Sequence, residues 1–248
     1  MARLKSLIKI EGTLDDLTFY KGEDGYLVRT KGGVSGDRIK TDPKFQRTRE
    51  NGREFANSAK SGKLLRRAIR TLLKDAKDTR VTSRLTQAMS KVKNSDVTST
   101  RGDRNVSVGI LTPDGKNHLK GFDFNNKSIL ENVLETDYSL DTSTGILQLD
   151  DFIPMQDIGM PLGATHVSLR SMFLSLDFTT REKEIHFSNT VNLTIDEIVS
   201  DVVLTANIPT GPGSKFYLLA MSFFQEVNGT QYPLNNGSFN ALQILEVI

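Results

Sequence analysis

A chain of 248 residues, 37% hydrophobic and 25% charged, is long enough for one large domain or two modest ones and too apolar for wholesale disorder. It has no cysteine, which excludes disulfides, thiolate chemistry and Cys-ligated zinc or iron–sulfur clusters, and no tryptophan, the residue that commonly stacks on sugars. The net charge of +2 hides a split: residues 1–104 carry 25 Lys+Arg against 13 Asp+Glu, a net of +12, and residues 105–248 carry 7 against 17, a net of −10. Such a split has two readings, a basic part that binds a polyanion or one that binds an acidic protein surface, including that of another copy.

The opening is basic, but Lys5 and Lys9 break its apolar run and Glu11 ends it. No secretory leader is expected, and no window approaches the roughly 18 apolar residues of a membrane span. The chain is expected to be cytoplasmic, or released as part of a particle, with no membrane association. Residues 5–10 alternate weakly. Residues 14–20 and 26–30 are β-rich and flank Lys21-Gly22-Glu23-Asp24-Gly25, which predicts a β-hairpin. Asp42-Pro43 then predicts a helix start, the Asp as cap and the Pro in the first turn. Leu64, Leu65, Ala68, Ile69, Leu72 and Leu73 form one apolar helix face, with Arg66, Arg67, Arg70 and Lys74 off it. Gly52 and Gly62 predict a kink or break in that helix. Asp78-Thr79 predicts a second helix carrying Val81, Leu85, Ala88, Met89 and Val92, so an αα-hairpin is expected.

Residues 94–104 are polar and turn-rich, which places a boundary between a basic region, 1–98, and an acidic β domain, 105–248. Strands are expected near 105–111, 117–122, 137–141, 145–149, 166–173, 183–195, 200–207, 215–225 and 239–248. Turns such as Pro113-Asp114-Gly115, Gly211-Pro212-Gly213 and Asn235-Asn236-Gly237 punctuate them. A short helix fits 128–134, and 150–164 reads as a long loop. The expected class is α+β: an N-terminal β-hairpin and αα-hairpin, then an antiparallel β-sandwich, jelly-roll-like.

Lys44, Arg47, Arg49, Arg53, Lys60, Lys63, Arg66, Arg67 and Arg70 are the candidate partner- or polyanion-binding residues. Phosphate binding needs several cations on one face, because each neutralised phosphate releases counterions. A solvated helix face has the same composition, and no platform of cations with aromatic rings is read beside it. Ser58–Leu65 departs from a phosphate-binding loop, with Asn57 where the first Gly belongs and Leu64 after Lys63. His118, His166 and His186 share no local metal motif, although Glu182 and Glu184 fall on the face of His186 if that segment is a strand. No catalytic set, cofactor motif or small-molecule site is read.

Gly12-Thr13-Leu14, Leu17-Thr18-Phe19-Tyr20-Lys21, Gly25-Tyr26-Leu27-Val28-Arg29 and Arg47-Thr48-Arg49-Glu50-Asn51 give the first 75 residues a pattern. It resembles uncharacterised bacterial proteins that open on a short β-hairpin followed by a basic helix. That group has no assigned activity, so the resemblance implies no catalytic residues. The expectation is a non-enzymatic subunit that self-assembles as a homo-oligomer into a particle, tube or filament, phage-derived assemblies among them. Its basic arm would dock on a neighbouring acidic β domain. The alternative is a nucleic-acid or ribonucleoprotein-binding protein that uses the basic helix.

Overall fold

The computed structural model describes residues 8–30, 32–76, 78–234 and 239–248, together with the backbone of 2–3. Residues 5–7 of the alternating opening and the Asn235-Asn236-Gly237 turn lie outside the described residues. The chain forms two compact units, Met1–Arg49 and Glu50–Ile248.

The first unit holds a four-stranded antiparallel sheet of β1 (Ala2–Arg3), β2 (Gly12–Leu14), β3 (Leu17–Gly22) and β4 (Gly25–Thr30), in the order β1-β4-β3-β2. β3 and β4 pair from Leu17↔Thr30 to Gly22↔Gly25, which leaves Glu23-Asp24 as a two-residue turn. Helix α1 (Gly36–Thr41) follows, its first turn capped by the Ser35 hydroxyl, which accepts the Arg38 N–H. Asp42 then caps a single 3₁₀ turn, Pro43–Phe45. No described side chain of residues 8–49 is buried.

Helix α2 (Gln46–Ala68) runs without a break through Gly52 and Gly62, where a kink was expected. The helical geometry lapses at Ile69 instead, before α3 (Arg70–Leu73). Gly62 is where α2 meets the next helix, α4 (Val81–Asn94): a Cβ there would touch Leu85 and Met89 at 3.6 Å. That is an ordinary van der Waals distance, so the packing of the two helices leaves room for a methyl group at this position. The Asp78 carboxylate accepts the Arg80 and Asn126 N–H groups and pairs with Arg84, so it anchors the turn before α4 and leaves the helix without a side-chain cap.

The boundary expected at 94–104 does not divide the structure. Leu65, Ile69, Leu85, Met89 and Val92 share one buried cluster with Met172, Leu174, Phe216, Leu218 and Ile244 of the sheet. Each fully buried side chain of this size contributes about 1.5–3 kcal/mol, so helices and sheet stabilise one another through this shared cluster. The polar 94–104 stretch is a tight turn held by Asp96. Its carboxylate accepts the N–H groups of Thr98, Ser99 and Asn105.

Of two expected strands, 105–111 is largely helical and 117–122 is mostly turn. Residues 105–111 contain α5 (Val106–Gly109), and 113–117 form α6 (Pro113–Asn117); of the 117–122 strand only β5 (Phe122–Asp123) remains. Asn105 and Thr112 cap these turns. Gly109 lies so close to the Val92 carbonyl that any side chain would collide with it. After α7 (Leu130–Val133) the β layers follow.

The larger sheet has seven strands among the described residues. Its main path is β10 (Val191–Thr194), β8 (His166–Leu176), β12 (Ser214–Val227), β14 (Ala241–Val247) and β5; β9 (Lys183–Phe187) pairs with β8, and β13 (Thr230–Pro233) with β12. The smaller sheet has the order β11 (Ser200–Thr205), β7 (Ile146–Phe152) and β6 (Ser139–Asp141). Every pairing is antiparallel. Phe216, Leu218 and Ala220 of β12 face the helices, while Leu219, Met221 and Phe223 face Leu147, Leu149, Val202 and Leu204 of the smaller sheet. A bulge opposite Tyr217/Leu218 lets Ile244 and Val247, three residues apart, both face the helices. The mixed α+β class with antiparallel sheets is therefore present, with helices on one face of the large sheet and the small sheet on the other. The 150–164 stretch is only partly loop, since it includes the end of β7 and α8 (Pro154–Asp157). The single expected strand over 183–195 is interrupted at 188–190.

Candidate anion-binding cleft

The buried face of α2 consists of Glu54, Ser58, Ser61, Gly62, Leu65 and Ala68. Lys60, Lys63 and Arg67 fall at i, i+3 and i+7 and are exposed on an adjoining face. Between Glu54 and Asp75 the chain contains no acidic residue, so nothing on this stretch neutralises them locally.

The facing wall is the β8–β9 connection. Asp177 organises it: its carboxylate accepts the N–H groups of Thr179 and Thr180, and its carbonyl accepts the N–H of Arg181. These hydrogen bonds hold the Asp177 carboxyl below its ordinary range. Phe178 is half-buried, its ring edge-on to Phe216 at 6.2 Å. Arg181 sits in the left-handed region, at φ 69°, and is exposed. Together α2 and this turn enclose an open cleft of about 450 Å³, with Lys60, Lys63, Arg67 and Arg181 on its walls and Leu64 and Phe178 beside them. Among the described residues none of the four cations is in an ion pair.

The other predicted cations are placed differently. Arg49 donates to the carbonyls of Ile39 and Asp42 at 2.8 and 2.9 Å, a structural role within its own unit. Arg53 pairs with Asp103 at 3.4 Å. Arg66 reaches across to the Thr82 hydroxyl at 2.9 Å and is half-buried. Lys44, Arg47 and Arg70 are exposed and outside the cleft lining. Arg181 could not be reached from the linear charge pattern, because it belongs to the acidic half. Its only local signal is Asp177 followed by two threonines between strands, which marks a turn and gives no partner.

Around Glu50 and Glu54, toward the other end of α2, the charges are paired. Glu54, 3% exposed, accepts from Lys93, from Arg104 at 3.0 Å and from the Gly102 N–H at 2.7 Å. Burial alone would raise its pKa, but these three donors outweigh it and hold the carboxyl at about 2. Arg101 meets Glu50 at 3.5 Å, so the Arg101-Gly102-Asp103 string clamps the loop onto the helix.

The His186–Glu184 pair is used within the fold. His186 bonds Glu184 at 2.7 Å, and the other Glu184 oxygen accepts the N–H groups of Thr210 and Gly211. Among the described residues no three His, Asp or Glu side chains are grouped to hold an ion, and no helix is long and apolar enough to cross a membrane. The N-terminal sheet does carry the pattern of cations and rings that was not legible in the linear sequence: Lys9 lies 5.3 Å from the Tyr26 ring and Arg29 5.4 Å from the Tyr20 ring.

The comparisons with known proteins are empty. No family model, no curated protein and no solved structure matches the chain. The functional reading therefore rests on the geometry itself.

Proposed function

We propose that this chain is a non-enzymatic structural subunit that associates with further copies of itself, its N-terminal unit acting as the docking arm. The observation that carries this reading is the absence of any buried side chain among the described residues 8–49. A small sheet needs a covered apolar face to be stable in water. Here Ile8 is 71% exposed and Leu14 63%, with Ile10, Leu17 and Val34 also on the surface. Covering these side chains on a neighbouring subunit would give the sheet the core it lacks and couple its folding to assembly. The second unit supplies an acidic counter-surface: Glu131, Glu135 and Asp137 surround an open cavity of about 580 Å³. In this reading the two stacked sheets serve as a rigid, jelly-roll-like body, and the arm of one copy docks on the acidic face of the next. That contact is heterologous and builds a ring or a filament. Charge steers the encounter and apolar burial supplies most of the affinity.

Sedimentation velocity tests the reading. The wild-type chain at low salt is expected to form fast-sedimenting species that dissociate as salt rises. Leu14→Asp with Leu17→Asp should leave a slow monomer. A wild-type chain that stays monomeric at every salt and protein concentration would sink it. With no Trp and five Tyr the chain absorbs weakly, so bound nucleic acid would be evident in the same run.

A further inference from the structure

We infer that the cleft between α2 and the β8–β9 turn binds the phosphate backbone of a nucleic-acid strand, with Lys60, Lys63, Arg67 and Arg181 as the contacting cations. This site is separate from the docking arm and does not depend on it. Each of the four residues is exposed, each lines the same cleft, and none has a carboxylate partner among the described residues. The contrast is with Arg53, Lys93, Arg101 and Arg104 at the other end of the same helical layer, each of which is in an ion pair. A fold that pairs its cations in one place and leaves four converging unpaired in another has charge available for an external anion.

The shape of the site favours a strand over a single small phosphate. Lys60 and Arg67 are seven residues apart on a helix that rises about 1.5 Å per residue, so the row is about 10 Å long. That is longer than one phosphate group and reaches successive phosphates of one backbone. A backbone nest for one phosphate needs converging free N–H groups, and here the turn's amides are already used: Thr179 and Thr180 donate to the Asp177 carboxylate. The cleft is open, and its neutral polar groups include Asn57, whose carbonyl oxygen already accepts the Val106 N–H. Recognition is therefore by charge along a backbone, with Leu64 and Phe178 offering an apolar flank to sugar or base. It should be indifferent to sequence.

Binding of a fluorescent single-stranded oligothymidylate, read by anisotropy over a salt series on the full chain, tests this. Four phosphate contacts on a single strand predict a log–log salt slope of about −3. Arg181→Glu is the decisive variant, because Arg181 lies in the acidic half and outside α2. It should weaken binding about tenfold and reduce the slope by about 1, and Lys63→Glu with Arg67→Glu should weaken binding further. Lys127→Glu, an equal charge reversal at an exposed position outside the cleft, should leave affinity within about twofold. Circular dichroism and sedimentation of each variant show that fold and association state are retained. Three results would overturn the assignment: cleft variants that bind the strand as the wild type does, inorganic tripolyphosphate occupying the cleft as tightly as the strand, or Arg181→Glu abolishing self-association while strand binding persists. The second would make the cleft a small-anion site, and the third a contact between copies.

Discussion

The two ends of α2 use the same residue types to opposite purposes. Toward its N-terminal end Glu50 and Glu54 draw Arg101, Lys93 and Arg104 inward, and Arg53 holds Asp103. Toward its C-terminal end Lys60, Lys63 and Arg67 have no acid to meet for twenty residues and stand on the wall of an open cleft. Cations that close the fold are those whose counter-charge is covalently part of the chain. In the strand-binding site proposed above, the four cations that line the cleft are the ones that meet a partner from outside. The difference is made by two glutamates, and it separates what each cation does for stability from what it does for binding.

The largest expected effect is at the closed end. Glu54→Ala removes the carboxylate that, among the described residues, pairs with both Lys93 and Arg104, and leaves two charges uncompensated in a largely buried site, which costs about 3–5 kcal/mol. Urea unfolding monitored by circular dichroism checks this. A loss below about 1 kcal/mol would show that the network contributes little and would erase the contrast between the two ends.

Acid should weaken the same end. The Glu54 carboxyl is held at about 2 against an ordinary 4.5, and that of Asp96 at about 2 against 3.8. For Asp96, as for Glu54, burial pushes upward and is outweighed, here by the hydroxyl and N–H donors of Ser99, Asn105 and Thr98. Each group therefore stabilises the fold fully above its unfolded pKa, and that contribution is lost as pH falls from about 4.5 toward 2. Stability measured against pH should decline through that window, and Glu54→Gln should flatten the decline. A curve as steep in Glu54→Gln as in the wild type would assign the acid sensitivity to other carboxylates.

Two glycines sharpen the comparison between what packs tightly and what has room. Gly109 abuts the Val92 carbonyl, so Gly109→Ala forces α5 away from α4 and should cost about 1–3 kcal/mol. Gly62 is helical, and a methyl there would sit at 3.6 Å from Leu85 and Met89, an ordinary contact. Gly62→Ala should therefore stabilise by up to about 1 kcal/mol through helix propensity alone. Both are read as shifts in the urea midpoint. A destabilised Gly62→Ala would mean that α2 and α4 are closer than their side chains allow.

Much of this fold was legible in the sequence, and the errors have a common cause. Apolar periodicity found the faces of α2 and α4, and alternation found β7, β8, β11, β12 and β14, because in each the local pattern and the tertiary burial agree. It failed at 105–122, where Val106, Ile110 and Leu119 alternate loosely like a strand but are buried by short capped helical turns against α4. There the side-chain caps and the close approach at Gly109 decide, and neither appears in a hydropathy pattern. The boundary at 94–104 was misplaced for a related reason: polar residues mark a turn whether it separates domains or, as with Asp96, ties two helices together. Of the candidate site, Lys60, Lys63 and Arg67 were visible as a charge run. Arg181, more than a hundred residues away, was not, since its turn reaches the helix only through tertiary packing, in which Phe178 lies edge-on to Phe216.

The smallest expected effect is the one that tests the open end directly. Lys63→Ala and Arg67→Ala remove exposed side chains that hold no ion pair among the described residues, so each should change stability by no more than about 0.5 kcal/mol. Removing neighbouring like charges could even stabilise slightly, since Lys60, Lys63 and Arg67 repel one another along one face. If the cleft's cations instead cost more than about 1 kcal/mol each when removed, they are engaged in holding α2 against the turn, and the distinction between the two ends of the helix disappears. A pair of substitutions neutral to unfolding yet harmful to strand binding places their purpose outside the chain, because stability and affinity are then carried by different residues of one helix.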